Sequence, residues 1–335
     1  MVKTIIKLLV LFPMISSAYS ESWHDITQAP NSNDIYVITT TGDTREINGI
    51  YDRDADRPNI SNSNIVGLAF NSVTNDILAL SSNGKVFNRI DDSTTSWTEA
   101  FSLSSENWKG ITQAPGSNDI YVITSSGDLR EINGSFSHDA DRPDISNSVI
   151  VDLASNSVTG DILALTSDGN VYNRPDDSSS AWNLAFSLPQ ANWIGLTQAP
   201  GSNDMYVITS SGDLREINGS FSHDADRPDI NDSNIVGLTS NSVSGDILAL
   251  TSDGKVYSRP DDSTTAWTQV FSLPQTSVCT SAEAGTVNSD LDIHMPSLNY
   301  QTLFGTQSIW VDFEYYGTGP NGELLWKLKD GGVNQ

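Results

Sequence analysis

One cysteine, Cys279, in a chain of 335 residues excludes an intramolecular disulfide framework. Basic residues are scarce as well: 17 Lys and Arg stand against 42 Asp and Glu, for a formal charge of −25. Such a chain repels nucleic acid and anionic membranes, and attracts cations or basic partners. The same charge also serves solubility, which is the commoner reason for an acidic surface. Beyond the N-terminus no stretch is long and apolar enough to cross a membrane, so no membrane insertion is expected. The 3.6-residue periodicity of stacked helices is missing. So are the G-x-S-x-G elbow, the phosphate-binding glycine loop and HExxH.

The N-terminus has a different character. Lys3 and Lys7 precede an apolar stretch from Leu8 to Phe12, and Ala18-Tyr19-Ser20 places small residues at the cleavage-recognition positions. Residues 1–20 read as a secretory signal peptide, too short for a spanning helix. The mature chain is expected to start near Glu21, in a bacterial periplasm or outside the cell. Its charge would be 15 minus 42, or −27, because the leader carries two lysines and no acid. Cys279 lies beyond the repeats and reads as a buried bystander or an interchain pair, the former being favoured.

What the sequence does contain is repetition. Trp23, Trp108 and Trp193 open the same phrase three times, 85 residues apart, from [IL]TQAPxSND to DDSxxxW and a Phe-Ser-Leu run. Each phrase holds a weaker copy of itself. The aspartates Asp34, Asp76, Asp119, Asp161, Asp204 and Asp246 follow at steps of 42 and 43, and each precedes a glycine by eight residues. The segment Ile120–Thr124 is apolar on both faces, so it must be covered on both sides. Asn83-Gly84, Asp168-Gly169 and Asp253-Gly254 then suit tight hairpins. An opening strand over Val149–Leu153, a strand at Val171–Arg174 and a last one over Trp182–Leu188 complete four strands in about 42 residues. The expected fold is all-β: a six-bladed β-propeller over 21–273, built as three double blades, with a pair of packed β-sandwiches as the competing architecture.

On this repeat length, leading Trp and D-[IM]-x-[VA]-[IL]-[TS]-x-x-G core, the chain resembles the tectonin- and tachylectin-type propeller lectins, and secondarily WD-type propellers. The Gly-His and Trp-Asp pairs of WD repeats are missing. Asp262 to Trp267 keeps the spacing of a sialidase Asp-box without its central glycine. The resemblance implies a binding propeller with sugar sites between blades.

Three sets of residues are candidates for such chemistry. Trp97, Trp182 and Trp267 each follow an Arg-x-Asp-Asp-Ser string containing Arg89, Arg174 or Arg259 and Asp92, Asp177 or Asp262. Aromatic faces beside carboxylates and guanidinium groups suit sugar rings, and three equal sites would add avidity. The competing role is packing, because Phe101, Phe186 and Phe271 stand four residues on. The acidic loops Asp54-Ala-Asp56, Asp139-Ala-Asp141 and Asp224-Ala-Asp226 are candidates for calcium, although the glycine and glutamate of an EF-hand are absent. The alternative is that Arg142 and its counterparts pair with these aspartates while the following proline stiffens the loop. No other cofactor is expected. His138 and His223 have Arg53 as their counterpart, which excludes a shared metal role, because arginine offers no lone pair.

Residues 274–335 lack the repeat. Segments Leu291–Tyr300, Ile309–Tyr316 and Glu323–Lys329 alternate apolar and polar residues, as in a three-stranded antiparallel module that needs a surface to dock on. The functional expectation is a secreted, non-catalytic binding protein whose partner is a glycan or a surface protein. A propeller hydrolase or lyase acting on polysaccharide, and an adhesin attached through its C-terminal module, are the alternatives.

Overall fold

The second strand of every blade explains the architecture. Ile35–Thr39, Asp76–Ser81, Ile120–Thr124, Asp161–Thr166, Met205–Thr209 and Asp246–Thr251 are buried along nearly their whole length. Side chains on a strand alternate between faces, so a wholly buried strand has a neighbour on each side. A computed structural model describes Ser22–Leu273, apart from residues 30, 62–63, 105–106, 147–148, 190–191 and 233, and the backbone of five further strands between 278 and 333. It shows a six-bladed β-propeller. Each blade is a four-stranded antiparallel sheet of consecutive strands, and no helix occurs among the described residues.

Alternation sends the side chains of one strand into two different cores. In blade one, Ile35 and Val37 join Leu248, Leu250, Val256 and Leu273 of blade six. Tyr36 and Ile38 join Ile65, Leu68, Ile77 and Ala79 of blade two. The same division repeats round the ring and gives six inter-blade cores. Burial of these side chains contributes about 1.5–3 kcal/mol each.

The two halves of each double blade meet differently. Where an even blade meets the following odd one, a leading tryptophan is buried: Trp23, Trp108 and Trp193 are at most 5% exposed. A side chain on Gly254 would strike the Trp23 ring at 2.7 Å, so this hairpin turn must be bare for the indole to lie on it. Gln28, Gln113 and Gln198 latch the same junctions by accepting from Ser242, Ser72 and Ser157 amides at 2.8–2.9 Å. Where an odd blade meets an even one, a buried tyrosine hydroxyl takes the tryptophan's place. The ring closes without exchange of a strand. Trp23 N donates to Ser252 O at 3.1 Å, as Trp108 N does to Ser82 O inside the ring.

Two sequence expectations need correction. The acidic stretches are not loops: Asp54–Arg57, Asp139–Arg142 and Asp224–Arg227 are the outer strands of the odd blades. An outer strand carries charge without penalty because one edge faces solvent. The opening strand of blade four runs Ile150–Asn156, and its outer strand Asn183–Ser187 begins just after Trp182.

From Pro274 the chain forms a second compact unit. Its sheet has five strands, not three: Val278–Ala282, Thr286–Val287, Ile293–Thr302, Gly305–Thr318 and Leu324–Val333. Cys279 pairs in register with Tyr300 on the first of these. The signal peptide expected over 1–20 lies outside the described residues.

The hairpin glycines offer a test. Gly127 has φ +97°, and a Cβ there would stand 2.2 Å from Ile145 O, whereas Gly160 has φ +73° and open space around it. Gly160→Ala should cost about 1 kcal/mol of backbone strain. Gly127→Ala should cost about 3 kcal/mol or more, because a core-side carbonyl must also move. Urea unfolding of both variants checks the order, and equal losses would contradict the packing described.

Candidate functional site

Two groups of polar residues lie at the blade junctions, one repeated three times and one present once. The second copy of the repeated group lies between blades three and four. Tyr121 Oη is hydrogen-bonded to Glu131, lies 2.9 Å from Asp176 Oδ1 and accepts from Asp177 N at 3.1 Å. A single hydroxyl proton thus serves two carboxylates. Burial and the bond to Glu131 push the phenol well above its ordinary range, so it stays protonated. Arg142 holds Glu131 by two hydrogen bonds, one at 2.7 Å, and reaches Asp177 at 3.6 Å. Asp177 turns outward with φ 54° and is 60% exposed.

The tryptophan, arginine and aspartate singled out from sequence do converge here, at different depths. Trp97, Trp182 and Trp267 are half-buried beside the cores. Each indole N–H donates at 2.8 Å to the carbonyl of Pro58, Pro143 or Pro228 in the preceding blade. Arg89, Arg174 and Arg259 are fully buried. Among the described residues their terminal guanidinium nitrogens have no hydrogen-bond partner. Arg89 instead lies between two rings, 5.4 Å from the centre of Tyr36 and 5.5 Å from that of Trp97. Cation–π attraction of about 2 kcal/mol for a desolvated cation offsets part of its burial cost. The surface face of each copy is therefore the indole, Asp92, Asp177 or Asp262, and Arg57, Arg142 or Arg227.

The aspartates proposed for calcium are engaged elsewhere. Asp54 pairs with Arg45 at 2.5 Å, and Asp224 with Arg215 at 2.8 Å. Arg130 likewise binds both Asp139 and Asp141. The partner of each DADR strand is thus the arginine of the neighbouring strand, while its own arginine goes to the buried glutamate. Closer carboxylate groupings are Asp34–Glu46–Asp92, Asp119–Glu131–Asp177 and Asp204–Glu216–Asp262, whose oxygens lie within 4.8 Å of one another. A cation there would compete with Arg57, Arg142 or Arg227 for the glutamate. His138 and His223 are exposed immediately before the outer strands Asp139–Arg142 and Asp224–Arg227.

The single-copy group lines the ring axis. Each innermost strand carries a bulge that drops one residue from the ladder: His24, Val66, Lys109, Val151, Ile194 and Val236. All six line an axial cavity of about 340 Å³. The next position round the ring is Asp25, Gly67, Gly110, Asp152, Gly195 and Gly237. Glycine prevails because the strands nearly touch: a Cβ on Gly110 would stand 2.9 Å from Leu153 Cβ. The two aspartates fit by bonding the next blade. Asp25 accepts from its own Ile26 amide at 2.8 Å and from Leu68 at 2.6 Å; Asp152 accepts from Leu153 and Leu196, each at 2.7 Å.

These groups share one field. Burial pushes the Asp25 carboxyl up to about 6. Burial, then the charge of Asp25, pushes Asp152 up to about 7. Burial, then Lys109, lowers His24 to about 4, so its imidazole is neutral at pH 7. The sequence reading missed this group because it forms no motif. Its one signal was disagreement between copies at positions where the rest of the phrase agrees.

No known protein family matches the chain, and no curated protein is similar to it. Solved structures show the same fold at low identity. A chain of a nidogen/laminin complex has a TM-score of 0.56 at 12% identity, over 66% of this chain and 86% of that one. An auxiliary nutrient binding protein from Bacteroides thetaiotaomicron has a TM-score of 0.55 at 9% identity, over 68% and 66%. A second protein from that organism, of unknown function, has a TM-score of 0.56 at 11% identity, over 71% and 68%.

The raised carboxyl gives a signed pH dependence. Folded Asp152 takes its proton near 7 and the unfolded chain near the ordinary 3.8, so the folded state holds the extra proton between them. Its contribution to stability is present below pH 4 and is lost as pH rises to 7. Asp152→Asn removes that loss. The melting temperature of the variant relative to wild type should rise by about 2–4 °C between pH 4 and 8, for about 1 kcal/mol after allowance for solvent screening. A difference that stays flat with pH, measured by calorimetry, would contradict the buried environment assigned to Asp152.

Proposed function

We propose that this is a secreted, non-catalytic binding propeller of the lectin type, which takes carbohydrate at three equivalent patches between odd and even blades. The observation that carries the reading is the threefold recurrence of one face. A half-buried indole stands beside an outward aspartate and a guanidinium, as at Trp182, Asp177 and Arg142. An indole offers its apolar face to a sugar ring, and the charged pair offers an acceptor and donors to hydroxyls. Because the indole N–H is already held by the Pro143 carbonyl, the ring is fixed before any ligand arrives. Fixed aromatic surface lowers the ordering cost of binding. Three such faces on one ring would engage a repeating surface glycan with avidity well above the affinity of one site. One of the similar structures is by its description an auxiliary nutrient binding protein and another is a chain of a nidogen/laminin complex, which supports binding over catalysis.

A glycan array on the propeller, run with calcium and with a chelator, tests the reading. Trp182→Ala should lower avidity for the bound glycan about tenfold. Trp182→Phe should retain most of it, because a ring still faces the ligand. Replacing Trp97, Trp182 and Trp267 together by Ala should abolish binding in a chain that still melts cooperatively. Unchanged glycan binding in the triple variant, or no glycan bound by wild type, would overturn the proposal.

A further inference from the structure

The second and third phrases differ in formal charge at four places: Lys109/Ile194, Asn147/Asp232, Asp152/Gly237 and Asn170/Lys255. Two of these answer each other, since Lys255 Nζ lies 2.9 Å from Asp232 Oδ2. The other two both face the axial cavity, where they join His24 and Asp25 of the first phrase. Copies that agree elsewhere have thus diverged into a single set of charged groups where all six blades meet.

The chemistry of that set is mixed. Among the described residues the Lys109 ammonium has no ion pair or hydrogen bond. Each oxygen of Asp25 and Asp152 accepts one backbone N–H, which leaves lone pairs free on both carboxylates. Blades one and four are opposite in a ring of six, so the two carboxylates approach the axis from opposite sides. His24 contributes a neutral imidazole, and Thr27, Thr112 and Thr197 contribute hydroxyls. A purely anionic molecule would meet two carboxylates, and a purely cationic one would meet the lysine.

We infer that the axial cavity is a single binding site for a small zwitterion, whose ammonium group faces Asp25 and Asp152 and whose anionic group faces Lys109. A volume of about 340 Å³ suits a free amino acid or a dipeptide. The site is independent of the inter-blade patches, which lie at other residues.

The protein itself supplies the control. Ile194 and Gly237 occupy the equivalent places in the third phrase, so Lys109→Ile with Asp152→Gly installs side chains this fold already accommodates there. Calorimetric titration with a panel of free amino acids and dipeptides, their amides and the corresponding amines should find a ligand bound at one per chain. Its amide and its decarboxylated amine should bind at least tenfold more weakly. The double variant should lose at least thirtyfold in affinity while its glycan-array profile and cooperative melting are retained. Three outcomes overturn the inference: no zwitterion of the panel binds, the double variant binds as well as wild type, or the amine alone binds as tightly as the parent. A failed glycan array with intact zwitterion binding would count against the lectin reading alone.

Discussion

Every blade here depends on strands that are apolar on both faces. Ile35 and Val37 belong to one core and Tyr36 and Ile38 to another, although all four sit on one five-residue strand. No blade can satisfy both faces alone, so the stability of each sheet is conditional on two neighbours. The ring is the arrangement in which nothing is left over. Closure needs no exchanged strand because blade six meets blade one through the contacts that even and odd blades use everywhere else. Trp23 lies on Gly254, and the Trp23 amide reaches Ser252.

That closeness limits what can happen at the axis. Six strands converging on one line leave no room for a Cβ at Gly110 or Gly237 without a carbon contact of 2.9 Å, well inside van der Waals separation. Variation is therefore forced into two outlets. One is the bulge residue, which leaves the ladder and points its side chain away from the pairing. The other is aspartate, whose short side chain bonds the next blade's amide as it enters the crowded ring. The titratable residues of the cavity occupy only those outlets: His24 and Lys109 at bulges, Asp25 and Asp152 at the crowded positions.

Much of this was legible in the sequence. The repeat length, the doubly apolar strand and the Asn-Gly and Asp-Gly turns define blades, because each reflects a local requirement that recurs six times. The Trp, Arg and Asp of the DDS string were found for the same reason, and they do stand together. Depth could not be read. Arg174 is as charged in the sequence as Arg142, yet one is fully buried and the other grips Glu131 near the surface. The DADR segment reads as a loop because it is charged throughout; it is a strand because Arg130 on the neighbouring strand neutralises its aspartates. The axial group is illegible to any search for motifs. Its members come from three blades and stand at equivalent positions of the repeat, Lys109 85 residues after His24 and Asp152 127 after Asp25, but the residue types differ from copy to copy, so no motif marks them.

The contrast between the two polar groups follows from how a ring is built from copies. A site inside one double blade is multiplied with it, so the Tyr121–Glu131–Arg142 cluster exists three times with nearly the same geometry. Such sites suit ligands that are themselves repetitive. A site on the axis collects one side chain from every copy and stays symmetric until the copies diverge. Once Lys109 stands where the next repeat has Ile194, and Asp152 where it has Gly237, the cavity has a handed arrangement of charge that no single repeat encodes. A symmetric cavity could only hold a ligand of matching symmetry or one averaged over three orientations. Two substitutions at the axis remove that degeneracy at little structural cost, because the new carboxylate finds a backbone amide waiting.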